Sequence, residues 1–402
     1  MRRIETLDGL RGYFLVFMFI NHVTFTGGLF MRYLNHAQLG FVEDAQGFVF
    51  LSGLLAGMVY TRRMNRGGFS AGARALWRRA AELYGYTIGC IIVVLVLREI
   101  LPGAPRIWQG WLGEIGHGGF GAHVAAAALL YQATFLDILP QYIVYMLAAP
   151  MLIWLVVRGR AAAVVTGSLV LWLAVQTGLH LPLIDAINVG LKHLSSKLFL
   201  RVPFNVLAWQ ALFMIAMVIG SLMALDRLDI RRYFDVRHAP IVKMMAISLL
   251  FFTALRLGFT FGLIPGDVTA RFRMLENRAA FSPIFMINFV IAAYVFTWVM
   301  TAGKEVADAR VRRLSQFFTW LFNLSFLRLL GRHSLQIYAW HVVLIYLVFW
   351  VDKQVGPFTQ FEKTLITLFG IALLALPAVY RERRAAKTRL PGGETTRSST
   401  AG

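Results

Sequence analysis

Charged residues are scarce in this chain of 402 residues. They make up 15% of it, whereas an ordinary soluble domain carries about 25%. A hydrophobic content of 58% also excludes such a domain. The single cysteine, Cys90, excludes an intrachain disulfide. The sequence has no P-loop, zinc-ligand spacing, nucleophile elbow or glycine-rich dinucleotide motif, so we predict no metal and no permanently bound cofactor.

Long apolar runs take the place of these features, and the mean hydropathy is +0.63. About 20 apolar residues are needed to cross roughly 30 Å of hydrocarbon. The runs predict an all-α, polytopic integral membrane helix bundle of about ten transmembrane helices. The segment 119–131 is too short to count and is predicted to be interfacial or re-entrant. The predicted spans are 9–28, 45–61, 82–101, 141–157, 161–180, 204–225, 243–264, 280–302, 333–351 and 362–380.

The basic residues set the expected orientation. The formal charge is +20, but the 40 Lys and Arg residues lie in short clusters between apolar runs, which argues against a nucleic-acid partner. Most of them fall on the side of the N-terminus, so we predict that both termini are cytoplasmic. The first apolar run is expected to be a retained helix and not a cleaved signal peptide. We predict a transmembrane domain over 1–382 and a disordered basic tail over 383–402.

Arg11 and His22 are the most informative residues of the first span, LDGLRGYFLVFMFINH. Eleven positions are about three helical turns, so both side chains share one face, roughly 16 Å apart along the axis. Ionisable groups in a membrane helix usually face a protein interior or a water-filled cavity and mark a functional site. A neutral His22 suits general base catalysis; the alternative is a histidine hydrogen-bonded to a neighbouring helix. Asp8 is expected to pair with Arg11.

The ninth span adds a second histidine. His341 lies three residues after Tyr338, on the same helical face. We expect it either to help place a thioester or phosphate group, or to make a packing hydrogen bond. His333 begins this span and is expected at the membrane interface.

Polar residues also cluster at the outer end of the second span, near the point where His22 should emerge. Glu43, Asp44 and Gln46 are predicted to bind sugar hydroxyls or to orient the imidazole, and the alternative is a solvated helix cap.

An arginine cluster and one isolated arginine are further candidates for anion binding. The segment 62–79, interpreted as a loop, carries six arginines, including Arg62, Arg63 and Arg78. It is either a positive-inside anchor or a site for a phosphate-rich cytosolic donor such as coenzyme A. Arg256 lies inside a span, and we expect it to hold a substrate carboxylate or to pair with an acidic group such as Asp137.

Several of these segments resemble known motifs of membrane O-acyltransferases. The spacing of Arg11 and His22 resembles the R-X10-H motif of the acyltransferase-3 superfamily, and SLQIYAWH resembles its late signature, with Leu335 where Tyr is common. FVFLSGLLAGMVYTRR, FLDILPQYIVYMLAAP, LLGRHSL and FNVLAWQALFMIAMVIG resemble motifs of the OpgC-type branch, with Val206 replacing the usual Pro. The similarity extends from about residue 4 to 350. This branch O-succinylates osmoregulated periplasmic glucans.

The resemblance implies a multi-pass protein of the bacterial inner membrane. It further implies cytosolic acyl-CoA, with succinyl-CoA expected, as co-substrate, and a periplasmic or envelope glucan as acceptor. Membrane lipid is a further expected partner, and a homo-oligomer is compatible with these features. The candidate residues are, for catalysis, His22, Arg11 and His341; for acyl-CoA, Arg62, Arg63, Arg78, His333 and Tyr338; and for the substrate, Asp8, Glu43, Asp44, Gln46, Asp137, Asn205, Trp209, Gln210 and Arg256.

Buried arginine and histidine side chains fit other functions equally well on physical grounds. The first alternative is a transporter in which Arg11, His22 and Arg256 form a proton or anion pathway. The second is a structural membrane partner of a glucan synthase without activity of its own. Dependence on acyl-CoA distinguishes the enzyme from both.

Overall fold

Helices carry almost all of the regular structure in residues 5–389, which are the residues that the computed structural model describes. Among these residues there is no strand, and one isolated bridge joins Tyr131 to Arg201. The predicted all-helical class is confirmed. The helices are α1 (Glu5–His22), α2 (Asp44–Ile100), α3 (Ala104–Ile107), α4 (Gln109–Leu112), α5 (Phe120–Ala127), α6 (Ile138–Val157), α7 (Ala161–Gln176), α8 (Leu181–Leu194), α9 (Val206–Ala224), α10 (Ala239–Thr260), α11 (Gly266–Leu275), α12 (Pro283–Thr301), α13 (Ala309–Phe322), α14 (Ser325–Arg332), α15 (Ser334–Val355), α16 (Gln360–Leu373) and α17 (Leu376–Arg389).

The long helix α2 differs from the sequence prediction. The second and third predicted spans lie in one helical run of 57 residues, and the segment 62–79 is helical. The interpretation of 62–79 as a loop is therefore wrong. The run bends at Gly68, whose φ of 75° and ψ of 176° lie outside the helical region. Glycine reaches a positive φ without steric cost, so the chain changes direction there without a loop. We call 44–67 the first arm of α2 and 69–100 its second arm.

Within the described residues, seven helices are long and apolar enough to cross a membrane. The number rises to eight if α7 and α8, which meet at a bend of 72°, form one span. In this count α2 appears once, although it contains two predicted spans. Helix α1 is not counted, and its sequence carries Glu5, Asp8 and Arg11. A multi-pass membrane protein is thus supported, whereas the number of ten and the sides of the termini stay predictions.

Close backbone contacts hold α1 against α13 and α14. A Cβ atom added to Gly9 would lie 1.7 Å from the Phe322 carbonyl oxygen, and one added to Gly12 would lie 1.9 Å from that of Leu327. Small residues of this kind let membrane helices approach until their backbones touch. Helix α1 is therefore fixed inside the bundle, where Leu15 and Phe19 are fully buried.

The first arm of α2 packs in the same way against α9. A Cβ atom on Gly53 would lie 2.2 Å from the Phe213 carbonyl oxygen, and one on Gly57 would lie 2.1 Å from that of Met217. The two glycines therefore let the backbones of the first arm of α2 and α9 touch.

The C-terminal helix extends further than the sequence predicts. Helix α17 continues to Arg389, inside the segment 383–402 that was expected to be disordered. The predicted start of the tail is thus too early. Its remainder, 390–402, lies outside the described residues.

Candidate active site

His22 is the last residue of α1, and buried charges fix the turn that follows it. Thr26 donates to Asp352 Oδ2 from its backbone nitrogen at 2.9 Å and from its hydroxyl at 2.7 Å. The Lys363 Nζ atom donates to the Thr26 carbonyl oxygen at 2.6 Å. Asp352 and Lys363 are only 2% and 3% exposed. These bonds tie the end of α1 to α15 and α16, so the imidazole is held in a defined position.

Two histidines from distant parts of the sequence form a hydrogen-bonded chain. His22 Nδ1 lies 3.3 Å from His341 Nε2, and His341 Nδ1 is hydrogen-bonded to the Tyr338 carbonyl oxygen. A carbonyl oxygen only accepts, so His341 carries its proton on Nδ1 and its Nε2 accepts. His22 must then donate from Nδ1. Its Nε2 is left with the free lone pair that a general base requires.

Aromatic rings pack against the histidine chain where it faces the segment before α6. The Phe135 ring lies against His22, with ring centroids 4.5 Å apart, and the Trp111 ring packs edge-on against Phe135 at 5.1 Å. The Tyr338 hydroxyl donates to the Phe135 carbonyl oxygen at 2.7 Å. Phe135 adopts a φ of 70°, which is rare for a residue with a side chain. One of the four described non-glycine residues with a positive φ therefore touches His22.

His22 lines a cavity of about 570 Å³, which we call the His22 cavity. Its wall combines apolar residues with charged groups of both signs. Such a wall can hold a hydrated ligand with many hydroxyls, because both donors and carboxylate acceptors are present. The charged residues that line it are Arg32, Glu43, Asp44, Asp137, Arg256 and Arg278.

Asp44 is the best-held carboxylate of the His22 cavity. Its Oδ2 atom accepts from Asn21 Nδ2 at 2.7 Å and from Asn35 Nδ2 at 2.8 Å. His36 Nδ1 lies 3.7 Å from the other oxygen, Oδ1. Burial lowers the pKa of His36 to about 4, so this imidazole is neutral near pH 7. The network ties the residue before His22 to the start of α2.

Ion pairs and burial set the charge around the remaining acidic groups. Arg278 Nε lies 2.5 Å from Glu43 Oε2, and Arg256 pairs with Glu276. Burial raises the pKa of Glu43, while the charge of Arg278 opposes this rise. Burial also raises the pKa of Asp137 to about 6, against the opposing effect of backbone hydrogen bonds and Arg278. Asp137, the residue just before α6, thus has a carboxyl group whose pKa is raised toward neutrality.

Arg11 lines a second, separate cavity of about 210 Å³, which we call the Arg11 cavity. Its guanidinium lies over the Phe48 ring, 5.5 Å from the centroid. Arg79 and Tyr142 line the same space, and so does Tyr338 of the hydrogen-bonded chain. Its described lining includes two arginines and no carboxylate, so the cavity suits an anion. Tyr338 belongs both to this wall and to the histidine chain that ends at the other cavity.

Comparison with known protein families identifies the family of this chain. A family model described as OpgC protein matches residues 2–386, which is nearly the whole chain. The chain belongs to the OpgC family. Membership makes it a transferase related to glucan-modifying acyltransferases, and its apolar helices make it a membrane protein. Comparisons with curated proteins and with solved structures gave no significant match.

In this OpgC-family chain, four of the predicted substrate residues lie together. Glu43, Asp44, Asp137 and Arg256 line the His22 cavity, although they come from three distant parts of the sequence. Arg256 pairs with an acidic group, as one alternative predicted, but the group is Glu276 and not the suggested Asp137. The binding roles of these residues stay predictions.

Three other predicted substrate residues support the fold around the cavity and do not line it. The Asn205 side chain accepts from backbone N–H groups in the first turn of α9. The Trp209 indole donates to the Arg278 carbonyl oxygen at 3.1 Å, which positions a residue that does line the cavity. Gln210 Oε1 accepts from the Ser168 hydroxyl at 2.7 Å and so joins α9 to α7.

Neither cavity is lined by Gln46, Asp8 or His333. Gln46 is fully buried and completes the capping box at the start of α2. Asp8 is buried where the backbones of α1 and α14 touch. His333 Nε2 lies 3.5 Å from Glu382 Oε1 of α17. The contacts with substrate or donor that were predicted for these three residues stay predictions.

The arginines of 62–79 divide by position. Arg79 lines the Arg11 cavity, whereas Arg62, Arg63 and Arg78 line neither cavity, and Arg63 and Arg78 are exposed. The predicted donor residues of this cluster therefore differ from the member that lines the cavity, and a role for the cluster in binding the donor stays a prediction.

The sequence analysis missed three residues of the His22 cavity. Asn21 binds Asp44 and precedes His22 directly, so its polarity inside a span was a usable signal. Arg32 and Arg278 lie between predicted spans and gave no local signal. Among the described residues, no group of three or more His, Cys, Asp or Glu side chains is placed to hold a metal ion.

Proposed function

We propose that this chain is an O-acyltransferase of the bacterial inner membrane that moves an acyl group, expected to be succinyl, from cytosolic acyl-CoA to a hydroxyl of a periplasmic or envelope glucan. We also place it in the acyltransferase-3 superfamily, on the spacing of Arg11 and His22. The observation that carries the proposal is the histidine chain, which ends at His22 in one cavity and begins at Tyr338 beside the other.

The acceptor is expected in the His22 cavity. A sugar presents several hydroxyls, and the carboxylates and arginines of this wall can accept from and donate to them. One hydroxyl would lie against the lone pair of His22 Nε2. The hydrogen bond from His22 Nδ1 to His341 keeps the ring in the tautomer in which Nε2 is basic.

The donor is expected in the Arg11 cavity. Coenzyme A is rich in phosphate, and Arg11 and Arg79 line this cavity. Arg79 also pairs with Glu82, so its remaining N–H groups would bind the phosphate. Arg11 lies about 16 Å from His22 along the axis of α1, which is further than an arginine side chain reaches. We therefore assign Arg11 to the body of the donor and not to the carbonyl that reacts beside His22.

The reaction then runs as a single addition and elimination. His22 Nε2 takes the proton of the hydroxyl as its oxygen attacks the thioester carbonyl, and a C–O bond forms. The tetrahedral intermediate collapses with cleavage of the C–S bond. The imidazolium returns the proton to the departing thiolate, which leaves a glucan ester, free CoA thiol and neutral His22. For a succinyl group, the distal carboxylate would bind the N–H groups of Arg256 that its ion pair with Glu276 leaves available.

Reconstituted vesicles containing the full chain test this proposal. They are supplied with succinyl-CoA or acetyl-CoA and a glucan, and ester formation is followed by mass spectrometry of the glucan together with thiol release. His22→Gln should lower the rate about 10²- to 10⁴-fold, as loss of a general base does. His193→Gln is the control, since His193 is exposed on α8. Full activity of a folded His22→Gln protein would contradict the assignment of the base, and transfer of acetyl but not succinyl would contradict the donor alone.

A further inference from the structure

A groove on the outer surface of the bundle lies between the second arm of α2, α15 and α17. Its volume is about 1040 Å³, and it is separate from both cavities described above. We call it the lateral groove. Gln336 and Trp340 of α15 form part of its floor, while Gly85 and Gly89 of α2 and Arg381 of α17 belong to its walls.

The lateral groove lies behind the histidine chain. Gln336, Trp340 and Val343 recur at helical spacing on one face of α15. Tyr338 and His341 lie on the opposite side of this helix, where they contact the Arg11 cavity and His22. A ligand in the groove would therefore touch the helix that carries His341 without reaching the reacting groups.

The part of the groove beside Gly85 and Gly89 is apolar and open. A Cβ atom added to Gly85 or Gly89 would meet no heavy atom of the described residues within 4 Å. Glycines in membrane helices commonly let a second helix approach, as Gly53 and Gly57 do here. Gly85 and Gly89 instead leave free width beside Trp340 and Val343. This shape fits a flexible hydrocarbon chain.

One end of the groove is polar and basic. In the orientation that satisfies its neighbours, the Gln336 amide oxygen accepts from Arg381 Nη1 at 2.9 Å and from the Tyr86 hydroxyl at 3.1 Å. Arg384 lines the same end. The acidic residue there, Glu82, is already paired with an arginine, Arg79, at 2.6 Å. Two guanidinium groups thus lie at the end of an apolar channel.

We propose that the lateral groove binds an anionic glycerophospholipid. The phosphate of the headgroup lies at Arg381 and Arg384, and one acyl chain runs past Gly85 and Gly89 along Trp340. Along the groove, a basic end is followed by apolar surface, just as the charged headgroup of such a lipid is followed by its acyl chains. The predicted orientation puts these arginines on the cytoplasmic side, so the lipid comes from that leaflet. This proposal does not depend on the transferase reaction.

The test uses the purified full chain in neutral detergent, with phosphatidylglycerol or phosphatidylcholine added. Phosphatidylglycerol should raise the Tm by a few degrees at concentrations well above its Kd, and phosphatidylcholine should raise it less. Native mass spectrometry should retain one phosphatidylglycerol molecule on each chain. Equal shifts with the two lipids would overturn the anionic assignment.

Paired variants separate the groove from the rest of the lipid-facing surface. Gly89→Leu should fill the groove and abolish both the Tm shift and the retained lipid. Gly167→Leu on α7 is the matched control, because a Cβ atom at Gly167 also meets no atom within 4 Å, and it should keep both. Arg381→Gln should lower retention, and Arg383→Gln on the same helix should not, since Arg383 does not line the groove.

Retention of lipid by Gly89→Leu would also overturn the proposal. Displacement of the lipid by acyl-CoA would overturn it as well, and it would assign the groove to the donor.

Discussion

The dependence of His22 on His341 leads to the sharpest prediction about this chain. His341 is fully buried and lines neither the His22 cavity nor the Arg11 cavity, so it acts through the residues that it contacts, His22 and Tyr338. We expect His341→Ala to lower kcat, and we expect the same substitution to have no further effect in a His22→Ala protein.

The structure sets the expected magnitudes. His341→Ala removes one neutral hydrogen bond from His22, and such a bond contributes about 0.5–1.5 kcal/mol. Since about 1.36 kcal/mol corresponds to a tenfold change in rate, kcat should fall about two- to tenfold. His22→Ala removes the base itself, at about 10²- to 10⁴-fold. Independent residues would multiply these losses, whereas a single chain predicts that the double variant equals His22→Ala.

The assay is the initial rate of thiol release from acyl-CoA at saturating glucan, with KM determined for both substrates. His193→Ala, on the exposed face of α8, controls for the loss of a histidine, and thermal unfolding in detergent confirms that each variant is folded. A double variant with multiplied losses would refute the chain. So would a His341→Ala protein that raises KM and leaves kcat unchanged.

Three further predictions concern the donor, the packing and one carboxyl group. Arg79→Gln should raise KM for acyl-CoA about three- to tenfold and Arg78→Gln should not, because only Arg79 lines the Arg11 cavity; steady-state kinetics checks this. Gly57→Val should lower the free energy of unfolding by about 1–3 kcal/mol or more, since its Cβ would lie 2.1 Å from a carbonyl oxygen of α9, and Gly167→Val should have little effect on the Tm. Burial raises the pKa of Asp137 from 3.8 to about 6, so between these values the folded chain holds a proton that the unfolded chain has released, and stability falls as pH rises through this window. Asp137→Asn should therefore flatten the dependence of Tm on pH between 4 and 6 and raise the Tm at pH 7 relative to the unsubstituted chain.

The sequence was sufficient for much of the fold, because the membrane dictates it locally. Apolar runs of about 20 residues can satisfy their backbone groups in lipid only as helices, and each predicted span overlaps a helix. The predicted boundaries are less accurate, since 9–28 extends six residues beyond the end of α1 and 362–380 includes the break between α16 and α17. The continuity of α2 could not be predicted in the same way. The segment 62–79 is basic and polar, which is typical of a loop, and its helical state depends on a bend at Gly68 and on packing.

The candidate site shows a similar division. Arg11 and His22 are identifiable because an ionisable group in hydrocarbon is costly, and both line cavities. The bond between His22 and His341 joins residues 319 positions apart, so no local pattern reveals it. Asn205 and Trp209 carry polar groups that looked like binding residues, yet in the structure these groups satisfy backbone donors and acceptors next to the His22 cavity. One sequence cannot separate these two uses of a buried polar side chain.

The difference between the two cavities favours transfer over transport. A transporter presents one site alternately to the two sides of the membrane, so its cargo meets the same groups from each side. Here the described linings differ in kind: the His22 cavity has carboxylates and arginines, and the Arg11 cavity has two arginines without a carboxylate. A transferase binds two unlike ligands at once, and two cavities with different charged residues on either side of Tyr338 and the histidine chain fit this requirement. A glucan and an anionic thioester are unlike in this sense, and only the acyl group has to pass between them.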